Sequence, residues 1–406
     1  MRWTWNRAFE LGALGAFYTA VSGLTSPDDV RVEDKYVVSF NTQSPNPLLL
    51  KIHTNLYTPV YDSTKCQEVG GTDDPWARKF IENDSAGFGP YRLQQLTRGQ
   101  QAVFVARDDY HGGKPAIETV VFREVPTSAA RVQLLQGGAV DIAQYLQPLE
   151  IISLQSVPNV VVETVPASFM IWIELNAKTP PFDNVDVRRA MNFAFPQQQV
   201  LDAVYQGLAT PLNGCMPNIY PGFSDEFFEY SYDPAKAKEL LAGAGFGNGF
   251  TTSLAYNAGD PVQEPIAIIY QTALREIGVE LELKKIPAGS FYNAVTERGQ
   301  PMIFYVDSPW CPDPGYSLTL YFDSASYVNY SNYENAEVDR LIAETAATAD
   351  EEARLAMMKE AQGIIMSEAP WTFIAYPNYT MARKAELAGF TYYTSNNIRF
   401  QDFHRA

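Results

Sequence analysis

The sequence predicts an α/β protein built as two lobes, and three observations carry that expectation. Residues 251–306 alternate strand, helix, strand, helix, strand, an order that implies parallel strands joined by right-handed crossovers. The run 169–175, FMIWIEL, is an apolar strand too short to cross a bilayer, and 371–376 reads as a strand returning across the lobe boundary, so the chain is expected to cross between lobes twice. With 406 residues there is enough chain for two or three domains, each burying its own core.

The elements follow in order. Residues 1–82 read as a helix, a strand at 36–40, a proline-rich turn at 44–47 and a helix near 48–56. Arg2 and Arg7 precede an apolar stretch, 11–24, that superficially resembles a signal peptide, but Trp3, Trp5 and Glu10 are out of place for one. An amphipathic helix and loop is expected there instead. Gly87, Gly89 and Pro90 mark a turn, 91–96 and 101–107 form a hairpin around polar 97–100, and 118–125 is another strand. Pro126 and Thr127 open a helix that Gly137 and Gly138 close, and 140–145 is extended again, which reads as one βαβ unit.

Past 169–175, Pro180, Pro181 and Asp183 make a turn, and Val187, Ala190, Met191 and Ala194 give 185–195 one apolar helical face. Asp233 is an N-cap with Pro234 at the first helical position, and Ala237, Leu240, Leu241 and Ala244 form the stripe. The glycines of 243–249, GAGFGNG, follow a helix instead of a strand, so they terminate that helix and cradle no phosphate. Helices are expected at 264–277, 290–298, 339–347 and 350–368, the last stopped by Pro370.

Bulk composition excludes several functions. The net charge is −17 and the basic residues are scattered, so nucleic acid is no partner, because phosphate neutralisation needs clustered Lys and Arg. His53, His111 and His404 are solitary, and no Cys/His spacing suggests zinc, so neither metal nor cofactor is expected. No nucleophile elbow or His-based triad supports catalysis, and with 47 acidic residues a carboxylate pair argues nothing. Cys66, Cys215 and Cys311 make no disulfide framework; a bridge between Cys215 and Cys311 stays open if the protein is exported.

In parallel sheets, ligands sit beyond the carboxyl ends of the strands, which singles out the loops 256–260 and 307–316. The richest stretch is 308–317, SPWCPDPGYS. Asp313 would meet a ligand ammonium, since a partly desolvated carboxylate gains most from a charge-assisted hydrogen bond, Trp310 would offer a stacking face, and Tyr316 stands beside them. Tyr145, Tyr256, Asn257 and Phe169 are further candidates for ligand contact. Phe169 and Trp172, three apart on a strand, cannot both face the cleft.

Asn176, Pro181, Phe182, Asp183, Val187, Arg188 and Ala190, together with GFGPYRL at 87–93, DPAKAKELLAGAGFGNGF at 233–250 and WCPDP at 310–314, stand in the order found in one family. The chain resembles the extracytoplasmic solute-binding proteins of family 5, the receptors of peptide-type ABC importers. The resemblance implies a two-lobed periplasmic-binding-protein fold, type II-like, with hinge strands and part of an additional small domain. It divides the chain into 1–82, a remnant of the extra domain contributing little to chemistry; 83–168 plus 377–406, the first lobe; and 169–376, the second. It also implies that the family's export signal and roughly the first hundred residues are missing from this chain. The implied function is a monomeric periplasmic receptor that performs no reaction, captures a small, peptide-like solute and delivers it to a membrane permease. A ligand sensor for a membrane kinase, or a carbohydrate-active enzyme using Asp307 and Asp313, are the alternatives.

Overall fold

The computed structural model describes residues 1–12, 14–54 and 59–406. Two helices, Arg2–Leu11 and Leu14–Val21, open the chain and lead to the hairpin β1 (Val30–Asp34) and β2 (Val37–Phe40). The expected helix and loop over 11–24 is the second of these helices with the turn after it; Ala13 lies outside the described residues. The helix expected near 48–56 is the short Leu49–Ile52, and residues 55 and 56 lie outside the described residues.

The strands β3 (Tyr91–Thr97), β4 (Gln101–Ala106) and β5 (Thr119–Arg123) form an antiparallel sheet in that order. The hairpin turns on Gly99, whose φ of 71° suits a residue without Cβ. Thr127 caps the helix Ser128–Gln136, its Oγ1 accepting from Ala130 N at 3.3 Å. After it comes β6 (Ile142–Gln144), then the helix Pro148–Leu154 and β7 (Val160–Val165). The expected βαβ unit does not form. β5 stays with β3 and β4, whereas β6 joins a second sheet, because its edge is taken by β14 (Tyr379–Lys384) from the far end of the chain.

The main sheet has six strands. β8 (Met170–Leu175) and β13 (Trp371–Pro377) lie near its middle, with β9 (Ala209–Pro211) outside β13 and β12 (Met302–Asp307), β10 (Phe250–Asn257) and β11 (Val279–Ile286) on the other side, in the order β11-β10-β12-β8-β13-β9. β10 pairs in parallel with β11 and β12, as the strand-helix-strand order requires, while β8 runs antiparallel to both neighbours. Every residue of β8 is buried, and Trp172 stacks on Trp371 with ring centroids 4.2 Å apart. Such a pair adds about 0.5–1.5 kcal/mol beyond the area it buries.

Local sequence fixes the covering helices. Asn184 Oδ1 caps Val185–Phe193 by accepting from Asp186 N at 2.8 Å, and Val187, Ala190 and Met191 press onto the sheet. Asp233 caps Pro234–Gly243 through Lys236 N at 2.9 Å. Gly249, at φ 77°, ends the glycine-rich segment where a Cβ would stand 1.8 Å from the carbonyl oxygen of Gly278. Gly249 therefore serves close packing between the entries to β10 and β11.

A second sheet, β6-β14-β7, is entirely antiparallel. The two sheets share no strand, and the chain passes between them at 166–169, from β7 into β8, and at 377–378, from β13 into β14. The N-terminal helices lean on the main sheet: Trp5, Tyr18, Leu24, Val30, Leu48 and Ile52 belong to its apolar core.

Candidate functional site

A cleft of about 250 Å³ opens where the two sheets meet. Strand direction puts it there. β10 and β12 are parallel and so end at one edge of the main sheet, and β8 begins at that edge beside β12. Tyr145 follows β6, Phe169 sits on the first crossing, Asp260 lies on the loop after β10, Val306 is near the end of β12, and Asn378 marks the second crossing. The wall is mostly apolar, with a few fixed polar groups, the composition of a small-molecule site.

Among those groups, Asp260 accepts from Val262 N at 2.9 Å and from Gln263 Nε2 at 3.0 Å, and burial pushes its carboxyl pKa up. Tyr205 is buried, its hydroxyl has no hydrogen-bond partner among the described residues, and burial raises its pKa far above the usual phenol range. Asn396 donates to Ser168 Oγ at 3.0 Å and Ser308 Oγ at 2.7 Å while accepting from Tyr392 Oη at 2.8 Å. This polar hub ties the C-terminal segment to the first crossing and to the residue after β12.

Of the seven residues expected to touch a ligand, Tyr145 and Phe169 line this cleft. Tyr145 is 78% exposed, at φ 54°, with its carbonyl held by Arg131 Nη2 at 2.6 Å. Phe169 is partly buried, while Trp172 lies in the core and donates from Nε1 to Glu174 Oε1 at 2.8 Å. Tyr256 is buried and donates to Glu264 Oε1 at 2.8 Å; Asn257 accepts from Gly259 N and donates its own N–H to Gln263 Oε1, both at 2.8 Å. These two shape the loop that carries Asp260 and form no part of the cleft wall.

The stretch 308–317 departs from the open ligand loop that the sequence suggests. Asp313 is fully buried and caps the helix Pro314–Phe322, its Oδ1 accepting from Gly315 N at 2.9 Å. Arg354, itself buried, approaches that carboxylate at 3.1 Å, and Lys51 forms a second ion pair with it. Its charge is already answered, so it offers no free anchor to an ammonium. Tyr316 is likewise buried, edge-on to Phe17 at 6.2 Å. Trp310 is partly buried against Tyr18, with centroids 6.2 Å apart. The N-terminal segment, expected to contribute little to chemistry, packs directly on this stretch. Cys66, Cys215 and Cys311 are all free and buried, so Cys215 and Cys311 are not bridged.

Sequence reasoning did not single out Asp260, Tyr205 or Asn396. Asp307, weighed only as part of an enzyme, ends β12 with a carboxylate that accepts from Ser308 N at 2.7 Å and Tyr321 Oη at 3.0 Å, and burial pushes its pKa up to about 6. The strand-end rule pointed to the loop of Asp260; no pattern distinguished this aspartate from the chain's other acidic residues. The residues of the 176–190 motif hold the scaffold. Asn176 Nδ2 donates to Arg298 O at 2.9 Å, and Arg188 donates to Phe182 O at 2.9 Å and Glu368 O at 2.8 Å.

Comparison with known proteins identifies the family and the fold. The family model described as bacterial extracellular solute-binding proteins, family 5 middle, matches residues 1–329. The chain is 28% identical over 373 residues to the probable D,D-dipeptide-binding periplasmic protein DdpA of Escherichia coli, covering 90% of this chain and 71% of that protein. It is 29% identical over 339 residues to the glutathione-binding protein GsiB of Pectobacterium atrosepticum, covering 80% of this chain and 65% of that protein. In fold it is similar to the ABC transporter-associated periplasmic binding protein DppA of Helicobacter pylori, solved with the peptide STSA. That match has a TM-score of 0.87 at 24% identity and covers 99% of this chain and 81% of that one.

Proposed function

Because the chain belongs to the bacterial extracellular solute-binding proteins of family 5, binding proteins that perform no reaction, we propose that it captures a small peptide-like solute in the cleft between its two sheets and delivers it to the membrane permease of an ABC importer. The location that goes with this reading is periplasmic. Among the described residues, no helix is long and apolar enough to cross a membrane.

The observation that carries the reading is the position of the cleft, walled by residues of both sheets and by both strand crossings. In this reading 83–168 with 377–406 and 169–376 are two bodies that move about 166–169 and 377–378. A solute touching both favours the closed arrangement by the contacts available only there. Isothermal titration with a panel of di- and tripeptides tests it against Val306→Trp, which fills the cleft from a residue already 37% exposed. Binding to the native chain that is lost in the variant is expected. Equal binding to both would place the solute elsewhere and refute the proposal.

A further inference from the structure

Resting on the reading of two bodies, we infer that Ser308 and Asn396 form a latch across the first crossing, and that this latch sets the angle at which the unliganded bodies rest. The two residues belong to different bodies: Ser308 follows β12 within 169–376, and Asn396 lies in the C-terminal segment of 377–406. Asn396 Nδ2 donates to Ser308 Oγ at 2.7 Å, and Ser308 Oγ meets Ser168 Oγ, on the crossing itself, at 2.6 Å. Among the described residues no ion pair joins 83–168 or 377–406 to 169–376. The polar link between the bodies therefore runs through Ser308.

The direction of each bond follows from counting hydrogens. Asn396 has two amide hydrogens, one for Ser308 Oγ and one for Ser168 Oγ at 3.0 Å, while its Oδ1 accepts from Tyr392 Oη at 2.8 Å. Ser168 Oγ donates to Thr394 O at 2.9 Å, so Ser308 is the donor within the serine pair. Every side-chain hydrogen of the cluster then has its own acceptor, and the set closes in one arrangement. Both ends are held. On the main sheet, Asp307 Oδ1 accepts from Ser308 N at 2.7 Å and Tyr220 Oη donates to Pro309 O at 2.8 Å. On the other body Asn396 stands at φ 56°, a left-handed conformation that Asn adopts more readily than most non-glycine residues, and its N–H donates to Tyr393 O at 2.8 Å. Ser168 and Ser308 are both buried, so water does not freely replace a bond that rotation breaks. A turn that moves Ser308 off Asn396 is thereby disfavoured roughly two- to tenfold for each hydrogen bond lost. Asn396 also lines the cleft, which puts the latch where a solute arrives.

The test is double electron–electron resonance on the unliganded protein, with spin labels at Val121 on β5 and Ile268 on the helix Gln263–Glu276. Two variants break the latch differently. Ser308→Ala removes the hydroxyl, and Asn396→Asp keeps the bond from Tyr392 while losing both donors, so either one tests the site if the other folds poorly. Each should widen the distance distribution, raising the fraction away from the native maximum roughly two- to tenfold. Ser326→Ala is the control: it deletes a buried hydroxyl that donates to Leu320 O at 2.6 Å within one body, and should leave the distribution unchanged. Distributions that stay native in both latch variants, or that widen equally in Ser326→Ala, would overturn the inference. If those same variants still shift on binding a peptide, the two-body receptor stands without its latch; if neither variant nor peptide moves the distance, the reading of two moving bodies falls with it.

Discussion

Glu174 sits in the middle of β8, 2% exposed, with Oε1 accepting from Trp172 and Oε2 without a hydrogen-bond partner among the described residues. Burial is the dominant influence and pushes its pKa from 4.5 up to about 8, so the folded chain holds this carboxyl neutral at neutral pH. A folded-state pKa above the unfolded one gives a contribution that is complete below 4.5 and declines as pH rises to about 8, where the native state begins to carry a buried charge. Thermal melts should therefore show Glu174→Gln flattening the loss of stability across that interval; an unchanged pH profile would contradict the assignment. The residue was illegible in the sequence, because Glu in the run WIEL looks the same whether it faces solvent or a pair of tryptophans. Asp313 failed for the same reason in reverse. Its neighbours in sequence suggested an open anchor, and its partners, Lys51 and Arg354, come from remote helices.

Asp-Pro opens two helices, and the pair shows what an element can tell. At Asp233 and Pro234 the N-cap signature was read as a helix start, and the structure has one. At Asp313 and Pro314 the same signature starts a helix that was overlooked, since the aromatic residues around it suggested a binding loop. The two caps differ in what else they hold. Asp233→Ala should cost about 1 kcal/mol, the usual value of a cap at a helix end. Asp313→Ala also strands the buried Arg354 and should cost roughly 3–5 kcal/mol. Urea denaturation of both variants separates them, and equal losses would mean that the buried ion pair adds nothing. The alternation of β10, β11 and β12 with their helices was legible because hydrophobic period and connection length reinforce each other there. The failed βαβ unit was not, since the helix after β5 was read correctly but the choice of sheet for β6 depends on a strand more than 200 residues away. Gly249 belongs to this scale too: Gly249→Ala should lower the melting temperature by several degrees through collision with Gly278, and an unshifted melt would contradict the packing role.

At the scale of the whole molecule, two sheets joined by two crossings leave one set of relative motions open, and the hub of Ser168, Ser308 and Asn396 bridges one of those crossings. Asn396→Ala removes both donors at once. Hydrogen exchange should then rise at 167–169 and 308 ahead of the main sheet, and uniform protection would show that the hub carries no such coupling. The organisation into two lobes was legible because buried strands at 169–175 and 371–376 had to connect something on either side. The cleft wall was only partly so, because pockets are built from residues that share an edge in space and no period in sequence. The central claim is that a solute is gripped between two bodies that close on it. Spin labels at Val121, on β5, and Ile268, on the helix after β10, are both about half exposed and report on the two sides. With a saturating peptide established as a ligand by titration, double electron–electron resonance should show the distance between them move to a single new value, and the shift should vanish in Val306→Trp. An unchanged distance distribution under full occupancy would contradict the account.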